Sequence, residues 1–304
     1  PTPSPGPGEA LVRHAAVGLN YIDVYFRTGL YKPPSLPCVI GMEGAGTVEA
    51  VGDGVTVVAP GDRVAYATAP IGAYAEARTI KADRLVKLPD DIGFDVAAAM
   101  MLQGMTVEYL LRRTFAVKSG QTILVHAAAG GVGLIMCQWA KHLGATVIGT
   151  VGSDAKAELA RAHGCDHPIV YTKDDFQARV KEITGGKMLP VVYDSVGRET
   201  FMKSLDCLAP LGMMVVFGNA SGAVPPFDVG LLAAKGSLFL TRPTLATYTA
   251  KREDLVASAE ALFDVVRKGA VTIEVNQRFP LADAAEAHRA LEARKTTGST
   301  VLLP

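Results

Sequence analysis

Cysteine is scarce: four residues in a chain of 304. Cys38, Cys137, Cys165 and Cys207 are scattered, and none belongs to a CxxC pair. That speaks against a zinc ribbon, which needs closely spaced sulfurs, and against a disulfide framework in a chain this large. Reduced thiols point to a cytoplasmic setting. Charge of one sign is also missing: Lys and Arg number 30, as do Asp and Glu. With no basic block, neither nucleic acid nor an anionic membrane is an expected partner. No apolar run is long and pure enough to span a bilayer. The opening PTPSPGPGEA has no basic n-region and no apolar h-region, so it reads as a loop and not as a signal peptide. It lacks an initiator methionine, which suggests a start inside a longer protein.

What is present is a globular composition, 49% apolar and 20% charged, long enough for two domains. Residues 1 to about 95 are rich in Val, Gly and Pro, with short strands between turns at Ala10–Leu19, Gly46–Val51, Arg63–Ala67, Tyr74–Ile80 and Leu85–Leu88. Two helices are expected next, Phe94–Leu102 and Met105–Arg113. From Gln121 strands and helices alternate, with strands at Thr122–Val125, Thr146–Val151, His167–Val170, Val191–Asp194, Met213–Phe217 and Leu238–Thr241. Strands joined by helical crossovers make a doubly wound parallel sheet. Lys251 to Pro304 has strands again and is expected to return to the first, β-rich domain.

The segment TILVHAAAGGVG, Thr122 to Gly133, carries the chemistry. A strand runs into small residues and then into a helical run, and Ala128-x-Gly130-x-x-Gly133 is a dinucleotide fingerprint with alanine for its first glycine. Small residues let a pyrophosphate approach the backbone at a helix N-terminus. In an NAD site an acid about 20 residues further on takes the ribose 2′-hydroxyl. Here the second strand ends in Gly152-Ser153-Asp154-Ala155-Lys156, and Asp154 falls past the strand, where it opens the next helix. Gly152 leaves room for a phosphate, Ser153 can donate to it, Lys156 supplies charge, and Tyr171 can flank the site. That pattern favours NADPH. Lys156 read alone is an ordinary solvated helix lysine.

Several motifs together resemble one family. They are Asn20-Tyr21-Ile22-Asp23-Val24-Tyr25, Gly29-Leu30-Tyr31, Gly41-x-Glu43-Gly44-Ala45-Gly46, Gly61-Asp62-Arg63-Val64, the Ala127–Gly133 turn and Tyr193-Asp194-Ser195-Val196-Gly197. The chain resembles the medium-chain dehydrogenase/reductase superfamily, and within it the zinc-independent, ζ-crystallin-like NADPH:quinone oxidoreductases. The match runs from about Glu9 to Pro304, and the family's first hairpin is missing from it. The resemblance implies an α/β fold: a GroES-like β-barrel catalytic domain over 1–98, a Rossmann NADPH-binding domain over 99–243, and a return to the catalytic domain over 244–304. It implies cofactor contacts from Tyr109, Gly130, Gly131, Val132, Gly133, Gly152, Ser153, Lys156, Tyr171, Ser195, Phe217, Asn219, Ser221 and Arg294. It also implies a homodimer formed through the edge of the Rossmann sheet at Leu238–Thr241.

Zinc enzymes of the superfamily need a cysteine in the first loop and a histidine in a Gly-His-Glu motif. This chain reads Gly18-Leu19-Asn20-Tyr21 and Gly41-Met42-Glu43. Methionine is a poor zinc ligand, so no metal site is expected. Without Lewis-acid zinc, alcohol oxidation loses its main driving group, whereas hydride or electron delivery to an electrophilic quinone needs less help. Asn20 and Tyr25 are the candidate substrate-positioning residues. Tyr25 is either a donor to the quinone oxygen or an aromatic wall; Asn20 is either a donor or a turn cap. His126 reads as structural, and His14, His142, His163 and His288 have no spacing that suggests acid–base work. The alternatives are an NADPH-dependent reductase of α,β-unsaturated ketones or aldehydes, and a weakly active NADPH-binding protein.

Overall fold

The computed structural model describes residues 3–67 and 70–304. The chain divides into two compact units. One combines Pro1–Met105, Leu245–Arg267 and Ile273–Pro304; the other is Thr106–Thr244 with Lys268–Thr272.

The first unit opens with β1 (Glu9–Leu19) and α1 (Tyr21–Thr28). Composition hid α1, but its local signals are strong. Asn20 is its N-cap, Asp23 reaches back to the Asn20 N–H at 2.9 Å, and Gly29 ends it at φ 79°. Next come β2 (Glu43–Val51), β3 (Arg63–Ala67), β4 (Ala77–Lys81), β5 (Val86–Lys87) and α2 (Phe94–Tyr109). The two helices expected between Phe94 and Arg113 are one helix followed by a π-type turn, Leu110–Thr114. Gly104 does not break it, because Leu262 packs where a side chain at Gly104 would go.

The second unit runs β6 (Thr122–Val125), α3 (Gly131–His142), β7 (Thr146–Val151), α4 (Asp154–Ala162), β8 (His167–Val170), α5 (Phe176–Ile183), β9 (Leu189–Asp194), α6 (Phe201–Leu205), β10 (Leu208–Val216), α7 (Gly230–Ala234) and β11 (Phe239–Thr241). Its strands pair in the order β11-β10-β9-β6-β7-β8, all parallel. That is the doubly wound order, with the switch point between β6 and β9. The strands are apolar and buried: Leu124, Ile148, Ile169, Val192 and Met214 meet Phe176, Val180 and Phe201 from the helices. Each such side chain, fully buried, contributes about 1.5–3 kcal/mol.

The chain then returns to the first unit with α8 (Leu245–Tyr248), α9 (Arg252–Arg267), β12 (Val275–Pro280), α10 (Ala284–Glu292) and β13 (Ser299–Leu303). Among the described residues seven strands form that unit's sheet along the path β12-β13-β1-β2-β3-β5, with β4 also on β1. The barrel-like sheet is thus mostly antiparallel, and β13 lies beside β1 with Val17 opposite Leu302. Val12, Val17, Leu19, Val48, Val64 and Tyr66 form its core.

Candidate active site

At the head of α3 the chain turns tightly after β6. Gly130 is the N-cap, and a side chain on Gly133 would collide with the Ala127 carbonyl. The first-turn N–H groups of Gly131, Val132 and Gly133 have no earlier helical carbonyl to bond, so they form an anion-seeking N-terminus. Ala128, in place of the first glycine, is buried, and its N–H donates to the Thr150 carbonyl at 3.0 Å. Its methyl is accommodated by Gly149 on β7. His126 is bonded at both ring nitrogens, to Thr150 Oγ1 and Ser204 Oγ, each at 2.8 Å. It is structural, and burial lowers its pKa.

The end of β7 leads into Gly152 and Ser153, with Lys156 in the first turn of α4 and Tyr171 just past the end of β8. Ser153 is the N-cap of α4, its Oγ accepting the Lys156 N–H at 3.4 Å, which leaves the hydroxyl hydrogen to donate. A side chain on Gly152 would lie 3.0 Å from Tyr171 Oη, so the tyrosine stands over the glycine. Asp154 opens α4, and its carboxylate is held by Lys173 at 2.6 Å.

Beyond β9 and β10 two loops are locked together. Buried Asp194 accepts the N–H groups of Val196 at 2.7 Å and Gly197 at 3.0 Å, and the Thr200 hydroxyl at 2.7 Å. This fixes the turn after Ser195. The Ser221 hydroxyl donates to the Val196 carbonyl at 2.8 Å and accepts the Glu199 N–H at 3.0 Å. The Ser221 side chain therefore ties the two loops to each other. Phe217 and Asn219 are half-buried on the second loop, and Tyr109 is buried.

In the first unit Asn20 is buried, and its amide is committed. Nδ2 donates to Glu43 Oε2 at 2.6 Å, and Oδ1 accepts from Gln103 at 3.2 Å. It caps a helix and anchors a buried carboxylate, which corrects its reading as an open substrate donor. Glu43 also accepts the Leu102 N–H at 2.8 Å, and Gln103 accepts the Ser299 hydroxyl at 2.8 Å. Burial pushes the Glu43 carboxyl up to about 8, against the hydrogen bonds from Asn20, Leu102 and Met101 that favour its charge. Tyr25, on α1, has its ring 5.7 Å from that of Tyr21 and 5.2 Å from that of Tyr31. Arg294 is exposed, holds φ at 58°, and its charge reaches the Tyr21 hydroxyl. A non-glycine residue in that region is strained by about 1–2 kcal/mol, a cost typical of functional positions.

Sequence reasoning missed the partners of these residues. Gln103, Ser299, Tyr74 and His288 enter only because the fold returns to them. The one local clue was Asp23, placed three residues after Asn20 as in a capping box.

Two family models match, the alcohol dehydrogenase GroES-like domain over residues 6–90 and the zinc-binding dehydrogenase over 131–256. A quinone oxidoreductase of Pseudomonas aeruginosa is 57% identical, over 99% of this chain and 92% of that protein. The structure of Escherichia coli quinone oxidoreductase complexed with NADPH superimposes with a TM-score of 0.98 at 50% identity, covering 100% of this chain and 94% of that one. The chain belongs to the quinone oxidoreductase family of the medium-chain dehydrogenases and reductases. A 2-haloacrylate reductase of Burkholderia sp. is also similar, 48% identical over 99% of this chain and 92% of that protein. Among the described residues no three His, Cys, Asp or Glu side chains gather as a metal-holding group.

Proposed function

We propose that this chain is a cytoplasmic NADPH:quinone oxidoreductase that works without zinc, as a homodimer. The observation that carries the reading is the end of β7, where Asp154 is held by Lys173, Tyr171 stands over Gly152, and Ser153 caps the helix whose first turn carries Lys156. A free carboxylate there would repel a 2′-phosphate; a hydroxyl, an ammonium and a phenol suit one.

The residues fit the cofactor. Gly130, Gly131, Val132 and Gly133 would hold the pyrophosphate, on a turn that tolerates no side chain at Gly133. Ser195, Phe217, Asn219 and Tyr109 would line the nicotinamide end, with the Asp194 and Ser221 bonds keeping their loops in place. Arg294 is proposed as a further cofactor contact. NADPH, when bound, supplies the hydride. The protein's part is to hold acceptor and cofactor in line and keep water out. Tyr25 would stack against a flat hydrophobic quinone, with Asn20 and Glu43 fixing the head of α1.

The free thiols of Cys38, Cys137, Cys165 and Cys207 support the cytoplasmic setting, and balanced charge supports the absence of nucleic acid or membrane partners. A second reading, reduction of an activated alkene, is favoured by the similarity to 2-haloacrylate reductase. The deciding experiment is steady-state oxidation of NADPH, and separately NADH, with 1,4-benzoquinone and with 2-chloroacrylate, each with and without a chelator. Chelator-insensitive NADPH turnover with the quinone is expected. Turnover with the acrylate alone would transfer the proposal to the second reading. Tight NADPH binding with neither turnover would overturn both.

A further inference from the structure

Behind α1 lies a buried line of hydrogen bonds that no step above uses. Asp23 Oδ2 accepts the Asn20 N–H at 2.9 Å and the Tyr74 hydroxyl at 3.1 Å. Tyr74 Oη in turn lies 3.0 Å from His288 Nε2. Asp23 is fully buried and His288 is 2% exposed. The interior atoms of this line are all paired. Its two ends, Asp23 Oδ1 and His288 Nδ1, are buried without any hydrogen-bond partner. A purely structural network would have its ends satisfied, because a buried unpaired polar atom is costly. A line of exchangeable donors and acceptors in hydrogen-bond contact, with an unused site at each end, can pass a proton along its length.

We propose that His288, Tyr74 and Asp23 form a proton relay ending at the head of α1, behind the aromatic face of Tyr21, Tyr25 and Tyr31. A proton joins His288 Nδ1, the proton on Nε2 passes to Tyr74 Oη, and the phenol proton passes to Asp23. One proton enters, no electrons move, and only N–H and O–H bonds are exchanged. The relay resets when Asp23 releases that proton toward the reduced quinone and His288 returns to its first tautomer. It deepens the quinone reductase reading, because a quinone that gains a hydride must also gain a proton. Asp23 is a positioning and storage residue here, and no contact with substrate is claimed for it.

The charged groups around the line fit this use. The Arg27–Glu292 pair, 2.6 Å apart, links α1 to α10, and its charges act on His288 in opposite directions. Glu43 faces Asp23 from β2. Burial raises the Asp23 carboxyl to about 7 and lowers the His288 imidazole below its ordinary value.

The test compares wild type with Tyr74→Phe, which keeps the ring packed on Gly41, and with Asp23→Asn, which keeps an acceptor for the Asn20 N–H. Histidine ¹⁵N NMR across pH 5.5–9 reads the His288 tautomer (range chosen to bracket the histidine region). In the wild type the His288 proton is expected to move between Nε2 and Nδ1 with the same midpoint as Asp23. In both variants that coupling is lost. Quinone-dependent kcat falls by roughly tenfold or more with a displaced pH profile, at unchanged NADPH affinity. A His288 tautomer profile identical in all three folded proteins would overturn the relay. Coupling in a wild type that reduces no quinone would sink the functional reading and leave the relay standing.

Discussion

Ala128 and Gly149 are built for each other: a side chain at Gly149 would put its Cβ 2.6 Å from the Ala128 methyl and 2.6 Å from Cys165 Sγ. The alanine that breaks the glycine fingerprint is thus accommodated one strand away. Gly149→Ala is expected to cost about 1–3 kcal/mol of stability from overpacking. It should also weaken NADPH binding, since Ala128 supports the pyrophosphate turn. Denaturant unfolding and a cofactor titration check it; a variant as stable as wild type would show that the turn can yield.

Lys156→Ala is expected to raise the Kd for NADPH by roughly tenfold to a hundredfold, the loss of one charge-assisted contact of about 1.5–3 kcal/mol. Affinity for NADH should change little. Fluorescence titration with both cofactors distinguishes this from general damage, which would weaken the two alike.

Stability should fall as pH rises from about 6.5 to about 8. Burial raises Asp23 to about 7 and Glu43 to about 8, so the folded chain keeps protons that the unfolded chain has already lost. His14, lowered by burial to about 4, acts the other way, but its window closes at 6.5. Above that the carboxyls dominate. Melting temperatures measured across this range should decline in wild type and decline less in Glu43→Gln. Equal slopes would refute the assignment to Glu43.

The second unit's sheet ends at β11, where Phe239 is 55% and Leu240 37% exposed, with Val229 at 71% and Leu211 at 67% also apolar and uncovered. An apolar sheet edge invites pairing with another copy. Sedimentation should find a dimer at micromolar concentration. Phe239→Glu should weaken it by about 30-fold or more, as for a central interface residue of about 2 kcal/mol, while leaving the fold intact. A monomeric wild type would end this proposal.

The parallel sheet was legible because its cues are local. β6, β7 and β8 fall on the residues expected, since each is a short β-branched run bounded by turn residues. The proposed cofactor corner could be read for the same reason: Gly152, Ser153 and Lys156 lie within five residues. The first unit's site was not. Tyr74 and His288 are 214 residues apart in sequence, and no spacing rule links them. His288, dismissed on spacing, sits at one end of a buried hydrogen-bonded line. Asn20 was picked out for the right region and the wrong task, because its partners Glu43 and Gln103 are visible only in three dimensions. Gly104 misled in the opposite sense, since a glycine that ends helices in solution is retained here for the sake of Leu262.

The first unit is stitched from both ends of the chain, with β13 filling the place beside β1. During synthesis, therefore, the ribosome must make the whole of the second unit before the first can close. Until residues 299–303 emerge, the segment Val17–Leu19 waits with an unpaired edge. The second unit is almost continuous in sequence and can reach its native topology by short-range pairing, well ahead of its neighbour. The order of assembly is thus written into the connectivity: the parallel sheet first, the antiparallel one last.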